Sequence, residues 1–268
     1  MSAAKRRFGQ NFLVDRGVVD RIVKAVHPRS GETIIEIGPG RGALTSCLVE
    51  KAERVVAIEF DHDLASRLRE EFAGVANLKL IEADALTTDF CSAIEPAQGA
   101  RVVANLPYNI ATAILQRLIE QRNCLTDMTL MLQREVADRI TAEAGSSERG
   151  FLSVFVEAYC ETEKLFDVPP QAFRPVPKVW STVVRLRVRP RIAAAVKDEE
   201  LLWKLVSTGF AYPRKTILNN LREAPSSIQE LLTKRGGASI VLCDAGIPPL
   251  RRAETLELEE WAMLVNSI

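Results

Sequence analysis

The sequence predicts an α/β fold of the doubly wound kind, a mostly parallel sheet covered by helices, followed by a small all-helical C-terminal domain. Three features predict it. Strand-length apolar runs alternate with amphipathic helical runs from Thr33 to about residue 142; the first run breaks into Gly38, Gly40 and Gly42 just before a helix starts; and after Pro190 only helical patterns remain. The expected domains are therefore 1–189 and 190–268.

In order, Val18, Val19, Ile22, Val23 and Val26 recur at helical spacing between Asp15 and Val26. The stretch Thr33 to Thr45, TIIEIGPGRGALT, reads as strand, tight turn and helix start. Glycines there permit positive φ and leave the main chain open to a ligand, although an ordinary glycine-rich turn has the same pattern. RVVAIEF, Arg54 to Phe60, is the next buried strand, and a helix over 61–72 follows. LKLIEADAL (78–86) and ARVVANLPYNI (100–110) are the third and fourth strands; a helix over 109–121, the strand MTLMLQ (128–133) and the helix REVADRITA continue the alternation. STVVRLRVR closes the sheet. LLWKLVSTGF, KTILNNLRE, SSIQELLTKR and LELEEWAMLVN are the helices of the second region.

Composition narrows the class. Of 268 residues 47% are hydrophobic and mean hydropathy is +0.02, the balance of an ordinary globular core. No apolar run approaches the roughly 18 residues of a membrane span, and MSAAKRRFGQ lacks the apolar core of a signal peptide. Cys47, Cys91, Cys124, Cys160 and Cys243 never fall in C-x-x-C spacing, so reduced thiols in a cytosolic protein are expected. Only two histidines, His27 and His62, are present, far apart, which argues against a metal site and against a Ser/His/Asp triad. Net charge is zero, so an RNA partner would need local basic clusters. These exist at Lys5–Arg7, at Arg185, Arg187, Arg189 and Arg191, at Arg214 with Lys215, and at Arg251 with Arg252, although each alone reads first as a solvated face.

The carboxyl ends of the strands carry the chemistry. Glu59 ends its strand 21 residues after Gly38, where a carboxylate accepts hydrogen bonds from both hydroxyls of an adenosine-type ribose. Two cofactor classes meet that geometry, since Gly38 to Ala43 also fits the dinucleotide pattern G-x-G-x-x-A. Glu36 favours a methyltransferase: a carboxylate beside the glycines repels a pyrophosphate but suits the cationic amino-acid end of S-adenosylmethionine. Asp84 sits in a post-strand turn, placed either to cap the following segment or to accept from the adenine amino group.

Asn105-Leu106-Pro107-Tyr108 is the most specific signal. An aromatic amine such as adenine N6 is a poor nucleophile because its lone pair is delocalised into the ring. If the Asn105 side-chain oxygen and the Leu106 carbonyl hold both amino hydrogens, the nitrogen can pyramidalise toward a methyl donor. Pro107 stiffens the turn, and Tyr108 can stack on the base and stabilise developing positive charge. No strong general base is needed.

With FGQNFLVD, IIEIGPGRGALT, VAIEFD, EADAL, NLPYNI, LMLQREVADRI and VPPQAFRPVPKV in view, essentially the whole chain resembles the small-subunit (16S) ribosomal RNA adenine N6,N6-dimethyltransferases, the KsgA family. The resemblance implies dimethylation at N6 of two adjacent adenosines in a hairpin loop near the 3′ end of that RNA, within the small ribosomal subunit, using S-adenosylmethionine. A cytoplasmic monomer without a metal is expected. The resemblance also implies that Phe173 faces the target base, although on sequence alone that residue could equally be a core anchor beside Pro175 and Pro177, and that Asn11 and Leu13 cover the cofactor. The helical region carries Arg214, Lys215, Arg251 and Arg252, which makes it a candidate RNA platform. Two positions depart from the family's pattern: Tyr212-Pro213-Arg214-Lys215 stands where a basic run is frequent, and Trp180 follows PKV where an aspartate is common. Rival readings are a large-subunit RNA adenine methyltransferase of the erythromycin-resistance type, a non-catalytic assembly factor and a nicotinamide dehydrogenase.

Overall fold

The structure, a computed structural model, describes residues 10–268, so the Lys5–Arg7 cluster lies outside the described residues. The chain divides into two compact units. The first runs through residue 137 and resumes over 161–190; the second comprises 138–160 and 191–268.

The first unit is built on a seven-stranded sheet. Numbered in chain order, its strands are β2 (Thr33–Ile37), β3 (Arg54–Glu59), β4 (Leu78–Glu82), β5 (Ala100–Asn105), β6 (Leu125–Gln133), β7 (Cys160–Val168) and β9 (Ser181–Val188), in the spatial order β4-β3-β2-β5-β6-β9-β7. β2 runs parallel to both β3 and β5, β3 to β4 and β5 to β6, whereas β9 is antiparallel to β6. Strand order reverses between β2 and β5, so the loops leaving these two strands flank the crevice where doubly wound sheets bind ligands. A separate two-stranded ladder joins β1 (Phe12–Leu13) to β8 (Phe173–Arg174).

Local signals explain the helices. α1 (Arg16–Val26) starts where the Asp15 carboxylate accepts from Val18 N–H at 3.1 Å, and its five predicted apolar positions are all buried. They pack in one core with Ile34, Val55, Val103, Val183 and Phe173. α2 (Thr45–Val49), α3 (His62–Glu71), α4 (Phe90–Ile94) and α5 (Ala111–Glu120) connect the parallel strands, and α6 (Arg134–Ile140) leaves β6. The third strand stops at Glu82, short of the expected Leu86, because the Asp84 carbonyl accepts from Thr87 and Thr88 N–H at 3.0 Å and turns the chain.

One cysteine expectation fails. Cys91 on α4 and Cys124 just before β6 form a disulfide, with Cα atoms 5.5 Å apart, while Cys47, Cys160 and Cys243 are free. Their sequence separation of 33 gives no spacing signal. The pairing is tertiary: Gln121 accepts from Phe90 N–H at 2.8 Å and donates to the Thr88 carbonyl at 3.0 Å, drawing the two segments together.

The second unit holds α7 (Phe151–Tyr159), α8 (Glu199–Gly209), α9 (Ile217–Arg222), α10 (Ser226–Lys234), α11 (Ala238–Asp244) and α12 (Leu258–Asn266). Residues 138–160 group with it rather than with the sheet unit where the sequence placed them. Packing explains this: Phe151, Phe155 and Tyr159 of α7 each contact the Trp203 ring, at centroid distances of 6.0, 5.0 and 5.7 Å. The buried Arg149 guanidinium adds bonds to Ala142 O at 2.9 Å, Glu157 at 2.6 Å and Leu256 O at 3.3 Å. Gly209 lies so close to Trp261 that a Cβ would sit 2.4 Å from the ring, so α8 and α12 pack with no room for a larger residue.

Candidate active site

A cleft of about 280 Å³ opens at the carboxyl ends of β2 to β5. Glu36, Gly38, Glu59, Asp84, Asn105 and Tyr108 all line it, as do Asn11 and Leu13 from the segment around β1. Leu106 and Pro107 complete the turn after β5 within the same wall. Gly38 and Gly40 take φ of +67° and +58°, as their turn required, and a Cβ on Gly40 would come within 3.2 Å of the Phe12 ring.

Glu59 is held rigidly. Its carboxylate accepts from Asp61 N–H at 2.9 Å and from Gly40 N–H at 3.0 Å, one bond per oxygen. The group is 6% exposed; burial raises its pKa, and backbone N–H groups of Asp61, Gly40 and Phe60 oppose that rise. A carboxylate offers about four acceptor positions, so Glu59 retains acceptor capacity toward the cleft.

Glu36 is only 2% exposed and accepts from Thr45 Oγ1 at 2.7 Å. Burial pushes its pKa up to about 7, the Thr45 bond works against this, and the nearby Glu59 charge adds to the rise. A cationic ligand beside it would draw it back to the ionised form. Asp84 accepts from Leu86 N–H at 2.9 Å through Oδ1 while lining the cleft, so it combines the capping role with a wall position.

The turn after β5 is pinned from two directions. Leu106 N–H donates to Met131 O of β6 at 3.2 Å, and the Asn105 amide Nδ2 donates to Asn11 O at 3.1 Å. With the amide nitrogen committed to Asn11, Oδ1 is the atom left to accept from an amine. Tyr108 OH lies 2.7 Å from Ser181 Oγ, and its pKa is raised, chiefly by burial, so it stays a neutral phenol at ordinary pH. No histidine lines the cleft: His27 caps α1, and His62 pairs with Glu82 at 2.7 Å on the surface.

Other expectations need correction. Phe173 is completely buried in the core beneath α1, paired through β8 with Leu13, and does not line the cleft. Its neighbours Val168, Ala172 and Val183 make it a packing anchor here. Arg185 and Arg187 share Glu163 of β7 at 3.3 Å, and Arg189 pairs with Glu161 at 3.2 Å, so that basic stripe faces an acidic one. In the helical unit, Arg251 is clamped by Glu260 and by the Thr255 hydroxyl and carbonyl, which makes it a structural arginine rather than a phosphate contact. Lys215 binds Glu223 at 2.6 Å and sits 4.3 Å over the Tyr212 ring. Arg252 is 3.9 Å from Glu254 with half its side chain exposed, and Arg214 is exposed. Sequence reasoning gave no separate role to Phe12, which packs on Gly40, or to Thr45 and Ser181, whose hydroxyls bond Glu36 and Tyr108.

Among the described residues no group of His, Cys, Asp and Glu could hold a metal ion, and no helix is long and apolar enough to cross a membrane. The profile of the ribosomal RNA adenine dimethylases matches residues 1–263. The chain belongs to that family. A "Ribosomal RNA small subunit methyltransferase A" of Hahella chejuensis is 45% identical over 99% of this chain and 93% of the relative. Its counterpart in Aromatoleum aromaticum is 46% identical over 99% and 94%. Among solved structures, a dimethyladenosine transferase from Plasmodium falciparum superposes with a TM-score of 0.79 at 25% identity, covering 94% of this chain and 95% of that one. The 23S rRNA methyltransferase ErmE gives 0.70 at 29% identity, covering 96% and 99%. As a member of the dimethylase family the protein is an rRNA adenine dimethyltransferase.

Proposed function

We propose that the protein dimethylates N6 of two adjacent adenosines in the 3′-terminal hairpin loop of 16S ribosomal RNA during small-subunit assembly, as a cytoplasmic monomer. The observation that carries the site assignment is the orientation of Asn105, whose amide nitrogen is held by Asn11 so that its oxygen can accept from the target amine.

S-adenosylmethionine fits the opposite side of the cleft. Glu59 has acceptor capacity left for the ribose hydroxyls, Asp84 lines the wall for the adenine edge, and Glu36 provides a carboxylate beside the glycine turn for the ammonium group. The cofactor supplies an electrophilic methyl group carried on a sulfonium. Asn105 Oδ1 and the Leu106 carbonyl hold the amino hydrogens, so the nitrogen lone pair leaves conjugation and points at the donor. These contacts strengthen as the amine becomes tetrahedral and cationic, which is where they lower the barrier. Tyr108, fixed by Ser181, offers a ring face to the base and to that growing charge. The proton then leaves an acidic ammonium, which solvent can accept.

The small subunit is favoured over the large one by relatives 45% and 46% identical that carry the small-subunit name, against 29% for ErmE. The helical unit, with Arg214 and Arg252, is the RNA platform of this reading. Labelled methyl transfer to purified, unmodified small subunits, followed by nucleoside analysis, tests it. N6,N6-dimethyladenosine in the small-subunit RNA is expected; label appearing only in large-subunit RNA would overturn the assignment.

A further inference from the structure

Trp180 is 47% exposed, whereas Trp261 is fully buried and Trp203 lies in an aromatic cluster. Exposing an indole to water costs free energy unless something covers it in use. Its position says what. Trp180 immediately precedes Ser181, whose hydroxyl holds Tyr108 at 2.7 Å, and its carbonyl accepts from Arg134 N–H at 3.0 Å. Because β9 runs antiparallel to β6, with Ser181 opposite Gln133, Trp180 stands at the carboxyl end of β6, on the same edge as the Asn105 turn.

The segment leading to it is tied to the cleft at both ends. Arg174 pairs with Phe12 beside the cofactor wall, and Ser181 holds the catalytic turn. Between them Val176 and Val179 are 52% and 42% exposed, and Lys178 is exposed as well. Arg174 donates to the carbonyls of Gln171 and Phe173 but keeps its charge at the surface. Residues 169–181 contain no acid; the nearest carboxylate, Asp167, is engaged by Thr182 at 2.7 Å and lies 3.8 Å from Arg134. An aromatic face flanked by cations and small apolar residues matches a single-stranded RNA, whose bases stack on rings while its phosphates meet lysine and arginine.

Resting on the proposed rRNA methyl transfer, we propose that Trp180 stacks on an unpaired base next to the target adenosine, with Lys178 and Arg174 beside the adjoining phosphates. Trp180 is thus a positioning residue for the RNA.

The probe is an RNA hairpin whose loop holds two unpaired adenosines, with a fully paired duplex of equal length as control. Trp180→Ala should weaken hairpin binding about tenfold and raise KM for RNA, leaving kcat, cofactor affinity and melting temperature unchanged. Trp180→Phe should retain affinity within about twofold, because any ring face stacks. In the parent, the hairpin but not the duplex should quench tryptophan fluorescence, and Trp180→Phe should abolish that quenching. Equal affinity for parent and Trp180→Ala, or equal losses for the Ala and Phe variants, would overturn the inference. Binding and quenching are read whether or not the hairpin is methylated; failure to find dimethyladenosine would count against the proposed function alone.

Discussion

The carboxylates of the sheet unit and the arginines of the helical unit make opposite use of the same physics. Glu36 and Glu59 are nearly buried, yet they are balanced mainly by a hydroxyl and backbone N–H groups, without a cationic side chain among their named partners. Such carboxylates have raised pKa values and hold unmet demand for positive charge and donors, which a ligand can supply. Arg251 is likewise partly buried, but Glu260 and Thr255 already satisfy it. Charge that the fold leaves uncompensated marks the site, whereas charge that the fold neutralises marks structure.

The contrast can be broken by mutation. The largest effect belongs to Asn105→Ala, which should lower single-turnover methyl transfer on the order of 10² to 10³-fold while RNA affinity changes little, since its bonds form fully only in the transition state. Loss of RNA binding with an unchanged rate would assign Asn105 to binding. Glu59→Ala should weaken S-adenosylmethionine on the order of a hundredfold, through two lost bonds to a charged acceptor, as read by calorimetry. Because Gly40 and Asp61 also lose their acceptor, Glu59→Gln serves as the milder companion. Unchanged affinity in both would remove Glu59 from the ribose site.

Glu36 makes a pH prediction. Its carboxyl titrates near about 7 in the folded protein against 4.5 in a model carboxylic acid. In the folded state without ligand it binds a proton that the unfolded chain has lost, so its contribution to stability is fully present below about 4.5 and is lost as pH rises through about 7. A cationic ligand selects the ionised form. S-adenosylmethionine affinity should therefore rise on the order of tenfold between about pH 6 and about pH 8, with proton release, and Glu36→Gln should flatten the profile. The smallest effects separate the arginines. Arg252→Ala and Arg214→Ala should each make the salt dependence of subunit binding shallower by about 0.7 to 0.9, whereas Arg251→Ala should lower the melting temperature and leave that slope alone.

The same contrast explains what the sequence disclosed. That Glu59, Asp84 and the Asn105 turn line one cleft was legible because strand ends and glycine spacing locate backbone, and backbone locates these side chains. Phe173 was not, because a proline-flanked aromatic reads alike whether it faces a base or the core, and only its pairing through β8 decides. The fate of Arg251, the Cys91–Cys124 bond and the transfer of residues 138–160 to the helical unit depend on partners distant in the chain. The parallel order of β2 to β6 followed from alternation, but β7, a strand bearing the acids that neutralise the β9 arginines, has little apolar periodicity to reveal it.

The central claim is that the turn activates N6 by shaping it, with no side chain abstracting a proton in the rate-limiting chemistry. Tyr108 is held as a phenol and no histidine reaches the cleft, and a bound cationic cofactor would keep Glu36 ionised. The direct test is the single-turnover rate of methyl transfer at saturating S-adenosylmethionine and RNA, measured from about pH 6.5 to about pH 8.5. A flat profile is predicted, with Asn105→Ala lowering it evenly at every pH. A rate that climbs tenfold per pH unit to a plateau would reveal a titrating base and contradict the account.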